Sequence, residues 1–398
     1  MKIKKDKIIA VFVPSLQSGG SERMAINISN LLNKHYKTKL IIIDDVDISY
    51  TSDCEIISLS SYIKKKASWK IVNFIKKLII FRKVIKNNDI NLVFAFTNTA
   101  NNYLPFLSKK IIKIASSRGF NYLKNNHMKY RLFQLIGINV LFNSKDMIRY
   151  YTKRYGSYKS FYLPNLIDYE EVISKSNLLI DDIYMNNLFS ENKVIVNVGQ
   201  FSTIKAQYNL IKIFNLLRNE INNIKLLLIG HRGEYEELTK MLAKKSDFCD
   251  DIIFLGYTDN PFKYLSKSYV MCHVSMNEGF PNAILESMIL GLPVISTNCD
   301  TGPSELINQD NTRFDIDNYL LTNTGILCPV IHDYHPFDLN KISRNHLIYK
   351  NAIMYLLKNR KSHEEISINS KISANEFKKE NVTSLYIKFI EEVFLKGG

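Results

Sequence analysis

Short runs of apolar residues alternate with longer amphipathic stretches along the whole chain. Such runs, rich in valine, isoleucine and leucine, are typical of strands buried on both faces of a parallel sheet. They read KIIAVFVPS, KLIIID, EIISLS, NLVFAF, IIKIAS, INVLFN and SFYLP in the first half, and KVIVNVG, KLLLIG, DIIFLG, YVMCHVS, LPVIST and GILCP in the second. Segments with helical spacing, such as SERMAINISNLLNKH and NLIKIFNLLRNE, lie between them. This alternation, twice over, predicts an α/β protein with two doubly wound domains.

The strand pattern is interrupted over residues 169–192, between LPNLIDYEE and KVIVNVG. Because this stretch is polar and acidic and carries no strand signal, we place the domain boundary in it. The predicted domains are residues 1–175 and residues 185–378. The last segment, 379–398, has helical spacing and no strand after it.

Composition favours an ordinary soluble protein that stays in the cytoplasm. The chain has 398 residues, of which 46% are hydrophobic and 23% charged. Its five cysteines are scattered without a CxxC pair, which is typical of reduced thiols. The basic, apolar N-terminus lacks a small-residue cleavage site, so we interpret it as a first buried strand rather than a signal peptide. No run approaches the roughly 18 apolar residues of a spanning helix.

Much of the net charge of +15 is concentrated in residues 64–86, which contain nine Lys or Arg and no acid. The same residues can place aromatic and aliphatic side chains on one helical face. A basic amphipathic helix of this kind suits an anionic membrane surface, but it equally suits a helix packed on its own sheet. Nucleic acid is not predicted as a partner, because no reader motif is present. The candidate membrane residues are Lys64, Lys65, Lys66, Trp69, Lys70, Lys76, Lys77, Arg82 and Lys83.

Candidate anion-binding residues follow the first strand of each half, at the edge where doubly wound sheets bind ligands. Gly19 and Gly20 permit close backbone approach at the start of a helix, where N–H groups attract phosphate. The pattern is not GxGxxG, and a simple tight turn explains it as well. In the second half Gly199 ends the strand, and Lys205 could place a charge on a diphosphate. A solvated surface lysine is the alternative.

The stretch EGFPNAILE, residues 278–286, follows the strand YVMCHVSM. Pro281 suits the first turn of a helix, so the N–H groups of Gly279, Phe280 and Asn282 could bind a diphosphate. Two helical turns separate Glu278 from Glu286, too far for a shared metal but suited to two ends of one elongated ligand. Carboxylates accept hydrogen bonds from the vicinal diols of sugars and ribose. The alternative is a carboxylate at a helix start together with an unrelated surface glutamate.

With these motifs in this order, the sequence resembles the family 4 glycosyltransferases of the GT-B fold. The resemblance spans nearly the whole chain and is carried by GGSERMAINISNLL, LPNLID, VGQFSTIKAQYNLI, LLLIGHRGEYEEL, the segment from FLGYTDN to PVIST, and TGILCP. It implies two Rossmann-like domains facing a central cleft. The first domain would bind the acceptor and the second the nucleotide-sugar, and the C-terminal helix, residues 379–398, would cross back onto the first domain. It also implies a hexosyl- or N-acetylhexosaminyltransferase that retains the anomeric configuration.

The resemblance also assigns roles to residues of this chain. Glu278 would hold the donor sugar's hydroxyls and Glu286 the ribose diol, while Lys205 and the backbone after Glu278 would bind the diphosphate. Glu278, Lys205 and Arg118 are the predicted catalytic residues. The predicted donor-binding residues are Gly19, Gly20, Gly199, Gln200, Lys205, Gly230, Arg232, Tyr257, Glu278, Gly279, Phe280, Pro281, Asn282 and Glu286.

Two positions depart from the family pattern. The family often has arginine at the position of Gln200, where glutamine donates a hydrogen bond but brings no charge; Arg232 is a candidate substitute. Many members carry a histidine after a first-domain strand, where this chain reads ASSRGF, so Arg118 takes that place. No metal or cofactor is predicted, because no His, Cys or Asp cluster suggests one and the nucleotide-sugar is a substrate.

The GGSER form of the first loop resembles transferases that build bacterial O-antigens and capsules. That likeness implies a UDP-sugar donor and a saccharide on polyprenyl diphosphate as the acceptor. The protein would then bind the inner face of the cytoplasmic membrane peripherally, through residues 64–86. Two alternatives remain open: a UDP-sugar 2-epimerase, against which the EGFPNAILE frame argues, and a binding protein without turnover, which the glutamine at position 200 allows.

Overall fold

Two parallel sheets, each with its own helices and core, make up the computed structural model. It describes residues 6–16, 20–45, 51–60, 70–308 and 314–396. One unit comprises Met1–Ile167 together with Lys379–Gly398, and the other comprises Asp168–Lys378. The fold class predicted from the alternation of strands and helices, two doubly wound α/β domains, is therefore confirmed.

The first unit contains a seven-stranded parallel sheet in the order β3-β2-β1-β4-β5-β6-β7. Its strands are β1 (Ile8–Val13), β2 (Lys37–Ile42), β3 (Glu55–Ser58), β4 (Ile90–Ala95), β5 (Ile112–Ser117), β6 (Asn139–Phe142) and β7 (Ser160–Tyr162). Its helices are α1 (Gly20–Asn33), α2 (Lys70–Asn87), α3 (Thr97–Asn101), α4 (Phe120–Asn125), α5 (His127–Leu135), α6 (Lys145–Tyr155) and, from the end of the chain, α16 (Lys379–Lys396).

Both faces of this first sheet are covered, because alternate residues of each strand point to opposite sides. On one side, strand residues such as Val11 and Phe94 pack with α1 and with Tyr386 and Phe389 of α16. On the other side, α2, α5 and α6 cover the sheet. This double burial explains why the strands appear in the sequence as nearly continuous apolar runs.

The second unit contains a seven-stranded sheet in the order β10-β9-β8-β11-β12-β14-β13, parallel except for β13. Its strands are β8 (Lys193–Val198), β9 (Ile224–Ile229), β10 (Ile252–Gly256), β11 (Val270–His273), β12 (Val294–Thr297), β13 (Leu320–Leu321) and β14 (Ile326–Cys328). Its helices are α7 (Tyr169–Ser176), α8 (Ile183–Glu191), α9 (Gln207–Arg218), α10 (Glu236–Lys244), α11 (Phe262–Leu265), α12 (Asn282–Ile289), α13 (Pro303–Ile307), α14 (Arg344–Lys358) and α15 (Arg360–Ser373).

The boundary between the units lies after Ile167 rather than within 175–185. The segment without a strand signal is not a linker, since it forms α7 and α8. Helix α7 groups with the second unit, where Asn260 Nδ2 donates to the carbonyl of Lys175 at 2.9 Å. Helix α7 is therefore part of the second unit's outer layer rather than a connection between the units.

A buried ion pair ties α9 to the segment after β14. Lys212, fully buried in α9, donates from Nζ to Asp333 Oδ2 at 2.6 Å and to the carbonyl oxygens of His335 (2.7 Å) and Lys341 (3.2 Å). His346 lies 3.7 Å from the same carboxylate. Burial lowers the pKa of His346 to about 4 against the opposing charge of Asp333, so this imidazole is neutral near pH 7.

Among the parallel strands of each sheet the order reverses at one place, between β1 and β4 in the first and between β8 and β11 in the second. At such a switch point the loops after the two strands diverge, which leaves a crevice beyond their carboxyl ends. The loops after β8 and β11 carry Lys205 and Glu278, so the predicted chemistry of the second unit converges there.

Candidate functional site

Lys205 and Glu278 meet beyond the carboxyl ends of β8 and β11. Lys205 Nζ donates to Glu278 Oε1 at 2.5 Å. Glu278 is 9% exposed, whereas about a third of the lysine side chain reaches solvent. The two sequence-predicted residues, 73 positions apart, thus form a single charged pair at the switch point.

A third residue, His273, contacts the carboxylate of this pair, and sequence reasoning missed it. It is the last residue of β11 and is 2% exposed. Its Nε2 lies 2.9 Å from Glu278 Oε1 and 3.0 Å from Ser275 Oγ, and its Nδ1 lies 2.9 Å from Ser296 Oγ. Burial lowers the pKa of His273, so we assign a neutral ring whose Nε2–H donates to the carboxylate.

The Glu278 carboxyl is held ionised. Burial alone would raise its pKa, but the charge of Lys205 and the hydrogen bonds from His273 and Lys205 outweigh burial and bring the pKa well below its usual range. Both donors contact Oε1. Within the described part of the second unit, Oε2 has no donor, so it can accept hydrogen bonds from a ligand's hydroxyl groups.

The backbone after Glu278 is fixed by the loop after β12. Thr301 Oγ1 donates to the carbonyl of Glu278. Gly302 has φ +95°, and a Cβ there would lie 2.5 Å from Pro281 Cδ and 3.0 Å from the carbonyl of Gly279. Only glycine therefore fits, and residues 279–281 are pinned where α12 begins. Pro281 precedes the first helical residue, Asn282, by one position.

Two predicted donor residues beside this backbone are buried. Phe280 is 7% exposed and packs on Phe377, with ring centroids 5.8 Å apart. Glu286, in the second turn of α12, is 8% exposed. It is therefore not a surface glutamate, and its role towards a ribose diol stays a prediction.

The ends of β8, β9 and β10 bring three further predicted donor residues together, Gly199, Gly230 and Tyr257. Gly230 N–H donates to the Gly256 carbonyl at 2.9 Å, and a Cβ at Gly230 would collide with the carbonyl of Gly199. This close approach requires glycine at position 230, which also has φ +151°. Tyr257, next after β10, is 58% exposed and contacts the ring of His231 with centroids 4.6 Å apart.

Gln200 and Arg232 present exposed side chains at the same edge. Arg232 has φ +59°, uncommon for a residue other than glycine. Its N–H donates to Glu236 Oε2 at 2.6 Å, and its carbonyl accepts from the N–H of Phe201 at 3.1 Å. The backbone is thus held by two contacts, while the role of the guanidinium as a replacement for a missing family arginine stays a prediction.

In the first unit, Arg118 is engaged by its own neighbours. After β5, its Nε donates to Ser116 Oγ at 3.0 Å and its Nη1 to Asn165 Oδ1 at 2.7 Å. Its guanidinium lies 4.7 Å from the centre of the Phe96 ring and interacts with Tyr386 of α16. Its catalytic role stays a prediction. Gly20 begins α1, and Gly19 lies outside the described residues.

The predicted basic amphipathic helix is present as α2, while its attachment to a membrane stays a prediction. Helix α2 buries Leu78, Phe81 and Ile85 but leaves an apolar stripe exposed: Ile71, Val72, Ile75 and Ile79. Lys76, Arg82 and Lys83 are exposed, and Arg82 Nε donates to the Phe106 carbonyl at 2.9 Å. Lys64, Lys65, Lys66 and Trp69 lie outside the described residues, as does the side chain of Lys70.

Lys77 was wrongly assigned to the membrane surface. It is 7% exposed and its Nζ contacts Asp44 Oδ1 at 2.6 Å. A buried, paired ammonium cannot reach a lipid headgroup, because the helix turns it towards the loop after β2.

Over the described ranges, no helix has the length and apolar character needed to cross a bilayer. The same residues include no group of three or more His, Cys, Asp or Glu side chains arranged to hold a metal ion.

Solved structures with two such Rossmann-like units define the fold as GT-B. The structure of HepE of Anabaena in complex with UDP and glucose matches with a TM-score of 0.73 at 15% identity, over 97% of this chain and 100% of that one. Residues 182–323 match the model of the family described as "Glycosyl transferases group 1". This match supports the resemblance to a glycosyltransferase family that the motifs predicted.

Two relatives cover most of the chain. An uncharacterized glycosyltransferase of Methanocaldococcus jannaschii is 26% identical over 337 residues, which are 79% of this chain and 82% of that protein. The N-acetylgalactosamine-N,N'-diacetylbacillosaminyl-diphospho-undecaprenol 4-alpha-N-acetylgalactosaminyltransferase of Campylobacter jejuni is 26% identical over 323 residues, which are 76% of this chain and 84% of that protein. The similarity thus extends well beyond the segment that matches the family model.

Proposed function

We propose that this chain is a retaining glycosyltransferase that moves a sugar from a UDP-sugar to a saccharide carried on a polyprenyl diphosphate. The product would belong to a bacterial surface polysaccharide such as an O-antigen or capsule. The observation that carries the proposal is the ionised Glu278, held by Lys205 and His273 at the second unit's switch point. The diphospho-undecaprenol acceptor in the name of the Campylobacter relative supports the acceptor class. The UDP bound to HepE supports the nucleotide.

In the proposed reaction, Lys205 has two partners in turn. Before the donor binds, its ammonium pairs with Glu278. When a diphosphate arrives, the ammonium and the N–H groups at the start of α12 stabilise the charge that develops on the leaving group. This fixed positive charge is why we expect no metal ion to be required.

Glu278 stays ionised throughout, and its Oε2 accepts hydrogen bonds from the hydroxyls of the transferred sugar. The bond from the anomeric carbon to the phosphate oxygen breaks while a bond to the acceptor oxygen forms on the same face. The acceptor's proton passes to the departing phosphate oxygen. The negative carboxylate near an oxocarbenium-like centre lowers the energy of that state. Retention of configuration follows from attack on the same face.

The test is nucleotide release from UDP-, GDP- and ADP-sugars, with and without a polyprenyl-diphosphate-linked saccharide, followed by NMR of the product linkage. We expect release of UDP only when the lipid acceptor is present, with the donor's anomeric configuration kept. Inversion at C2 of the sugar without transfer would identify the epimerase alternative, whether the nucleotide stays attached or is released. Saturable UDP-sugar binding with neither release nor epimerisation on any tested lipid would favour a binding protein.

We further propose that the first unit binds the membrane surface through α2. Its exposed stripe of Ile71, Val72, Ile75 and Ile79 would enter the headgroup region, while Lys76 and Lys83 contact anionic lipids. We expect Ile75→Glu to reduce cosedimentation with vesicles that contain phosphatidylglycerol, whereas Ile372→Glu, on exposed α15, leaves it unchanged.

Raising the salt concentration from about 0.05 M to about 0.5 M should weaken the same vesicle binding, because the Debye length shortens severalfold. Binding that ignored both salt and Ile75→Glu would contradict attachment through α2.

A further inference from the structure

A cavity of about 610 Å³ opens at the amino-terminal edge of the first unit's sheet, opposite the edge that carries the predicted ligand crevice. It lies between the starts of β5 and β6, the end of α5 and the turn before β7. Three lysines line it, Lys109, Lys113 and Lys159, and no acidic residue does. The proposed transfer reaction uses none of these residues.

Lys113 is the unusual member of this group. It is the second residue of β5 and, by alternation, points to the same side as Ala115, the side covered by α5. It is 9% exposed. Among the residues that the structure describes, neither a hydrogen-bond acceptor nor a carboxylate contacts its Nζ. The side chain is therefore largely enclosed, while its Nζ opens to the cavity and keeps its three N–H donors for a ligand.

The neighbouring lysines add to the positive charge of the cavity. Burial lowers the pKa of Lys113, and the charges of Lys109 and Lys159 lower it further. Lys159 is held in place: its φ is +53°, its carbonyl accepts from Val140 N–H at 2.8 Å, and its Nζ donates to the Gly137 carbonyl at 3.1 Å. An ammonium has three N–H donors, so Lys159 keeps donors for another ligand.

Apolar side chains surround the opening. Leu135 is 75% exposed, Ile136 42% and Tyr158 62%, and all three line the cavity. Farther along the outer face of α5, Met128 and Leu132 are exposed as well. A basic interior with an apolar rim matches an anionic headgroup attached to hydrocarbon.

We propose that this cavity binds a phosphate ester, with Lys113, Lys109 and Lys159 as its ligands. A bound phosphate would supply the counter-charge that Lys113 lacks and accept from each ammonium in a charge-assisted hydrogen bond. The same chemistry is offered by a phospholipid headgroup and by a free phosphate ester, and the apolar rim favours the lipid.

The test measures binding of three water-soluble probes by calorimetry: dihexanoyl phosphatidylglycerol, glycerol 1-phosphate and the zwitterionic dihexanoyl phosphatidylcholine. We expect the first to bind best. The variant Lys113→Met keeps the apolar stem and should bind it about tenfold to a hundredfold more weakly, as loss of a charge-assisted hydrogen bond implies. The matched control Lys110→Gln removes an exposed charge three positions away, outside the cavity lining, and should stay within about twofold, as for a screened surface charge.

The three probes distinguish a phospholipid headgroup from a free phosphate ester as the ligand. Binding of dihexanoyl phosphatidylglycerol alone identifies a lipid site, and equal binding of glycerol 1-phosphate identifies a site for free phosphate esters. The proposal is overturned if neither anionic probe binds, or if Lys113→Met and Lys110→Gln weaken binding equally.

The Tm of Lys113→Met shows whether weak binding by this variant reflects loss of a ligand contact or damage to the fold. Because Lys113→Met removes a charge that no carboxylate neutralises and that two further lysines repel, its Tm without ligand should match or exceed that of the wild-type protein. The anionic probe should raise the Tm of the wild-type protein only. A large fall in the variant's own Tm would instead mean that Lys113 stabilises the fold, contrary to the proposal. Neither ligand binding nor the Tm involves glycosyl transfer, so failure of the proposed function would leave this proposal standing.

Discussion

The variant Glu278→Gln should lower kcat for glycosyl transfer by about 10²- to 10³-fold, the usual scale for removing a preorganised electrostatic group. The substitution keeps the shape of the side chain and an acceptor for His273 Nε2, but it removes the charge. That charge is the feature that Lys205 and His273 maintain through the lowered pKa of Glu278. Steady-state nucleotide release on donor and acceptor provides the measurement.

Measuring UDP binding distinguishes a specific fall in kcat from general damage to the Glu278→Gln protein. In Glu278→Gln the ammonium of Lys205 is no longer paired with a carboxylate, so UDP should bind as tightly as in the wild-type protein or more tightly. Glu237→Gln, which changes a glutamate 82% exposed on α10, should leave both kcat and UDP binding unchanged. A Glu278→Gln protein that turned over at the wild-type rate would remove Glu278 from the catalytic residues.

Asp333→Asn should destabilise the second unit by about 3–5 kcal/mol, because it leaves the ammonium of Lys212 buried without its counter-charge. Such a loss corresponds to a fall in Tm on the order of 10 °C for a unit of this size. At pH 7.5 His346, with a pKa of about 4, is neutral and cannot compensate by losing a proton. Calorimetry or a fluorescence melt at that pH measures the effect.

Two further variants show whether the missing charge is responsible. Asp317→Asn, at an exposed position in the same unit, should change the Tm little. The double variant Lys212→Met/Asp333→Leu removes both charges and should recover at least part of the loss, although the carbonyls of His335 and Lys341 then lose a donor. Equal melting of Asp333→Asn and Asp317→Asn would show that Lys212 needs no carboxylate.

The sheets could be predicted from the sequence because both faces of each are covered. Apart from β13, every strand that the structure describes overlaps an apolar run recognisable in the sequence. Strand β13 has two residues, Leu320 and Leu321, at an edge, which is too short for a period to show. The stretch 169–192 is polar and acidic and carries no strand signal, and its two helices, α7 and α8, are short. Tertiary packing places this stretch in the second unit, and the local sequence pattern does not indicate that packing.

The site was predictable residue by residue but not as an arrangement. Each of Lys205 and Glu278 follows a strand, yet their ion pair depends on β8 lying beside β11, which the strand order alone decides. A signal for His273 was present: a histidine inside an otherwise apolar strand, five positions before Glu278. Lys77 was misassigned because its partner Asp44 lies 33 positions earlier, and the helical period of α2 gives no sign of that contact.

The discontinuity of the first unit affects the order in which the protein can be completed on the ribosome. All seven strands of its sheet have been synthesised by residue 162. One face of that sheet nevertheless takes Val382, Tyr386, Phe389, Ile390 and Val393 into its core, and these are made only after the whole second unit. Tyr386 also donates to the carbonyl of Pro164 at 3.0 Å. The unit whose translation begins first is therefore the last to gain its full set of core contacts, and a nascent chain that has reached residue 378 still has part of that apolar face uncovered.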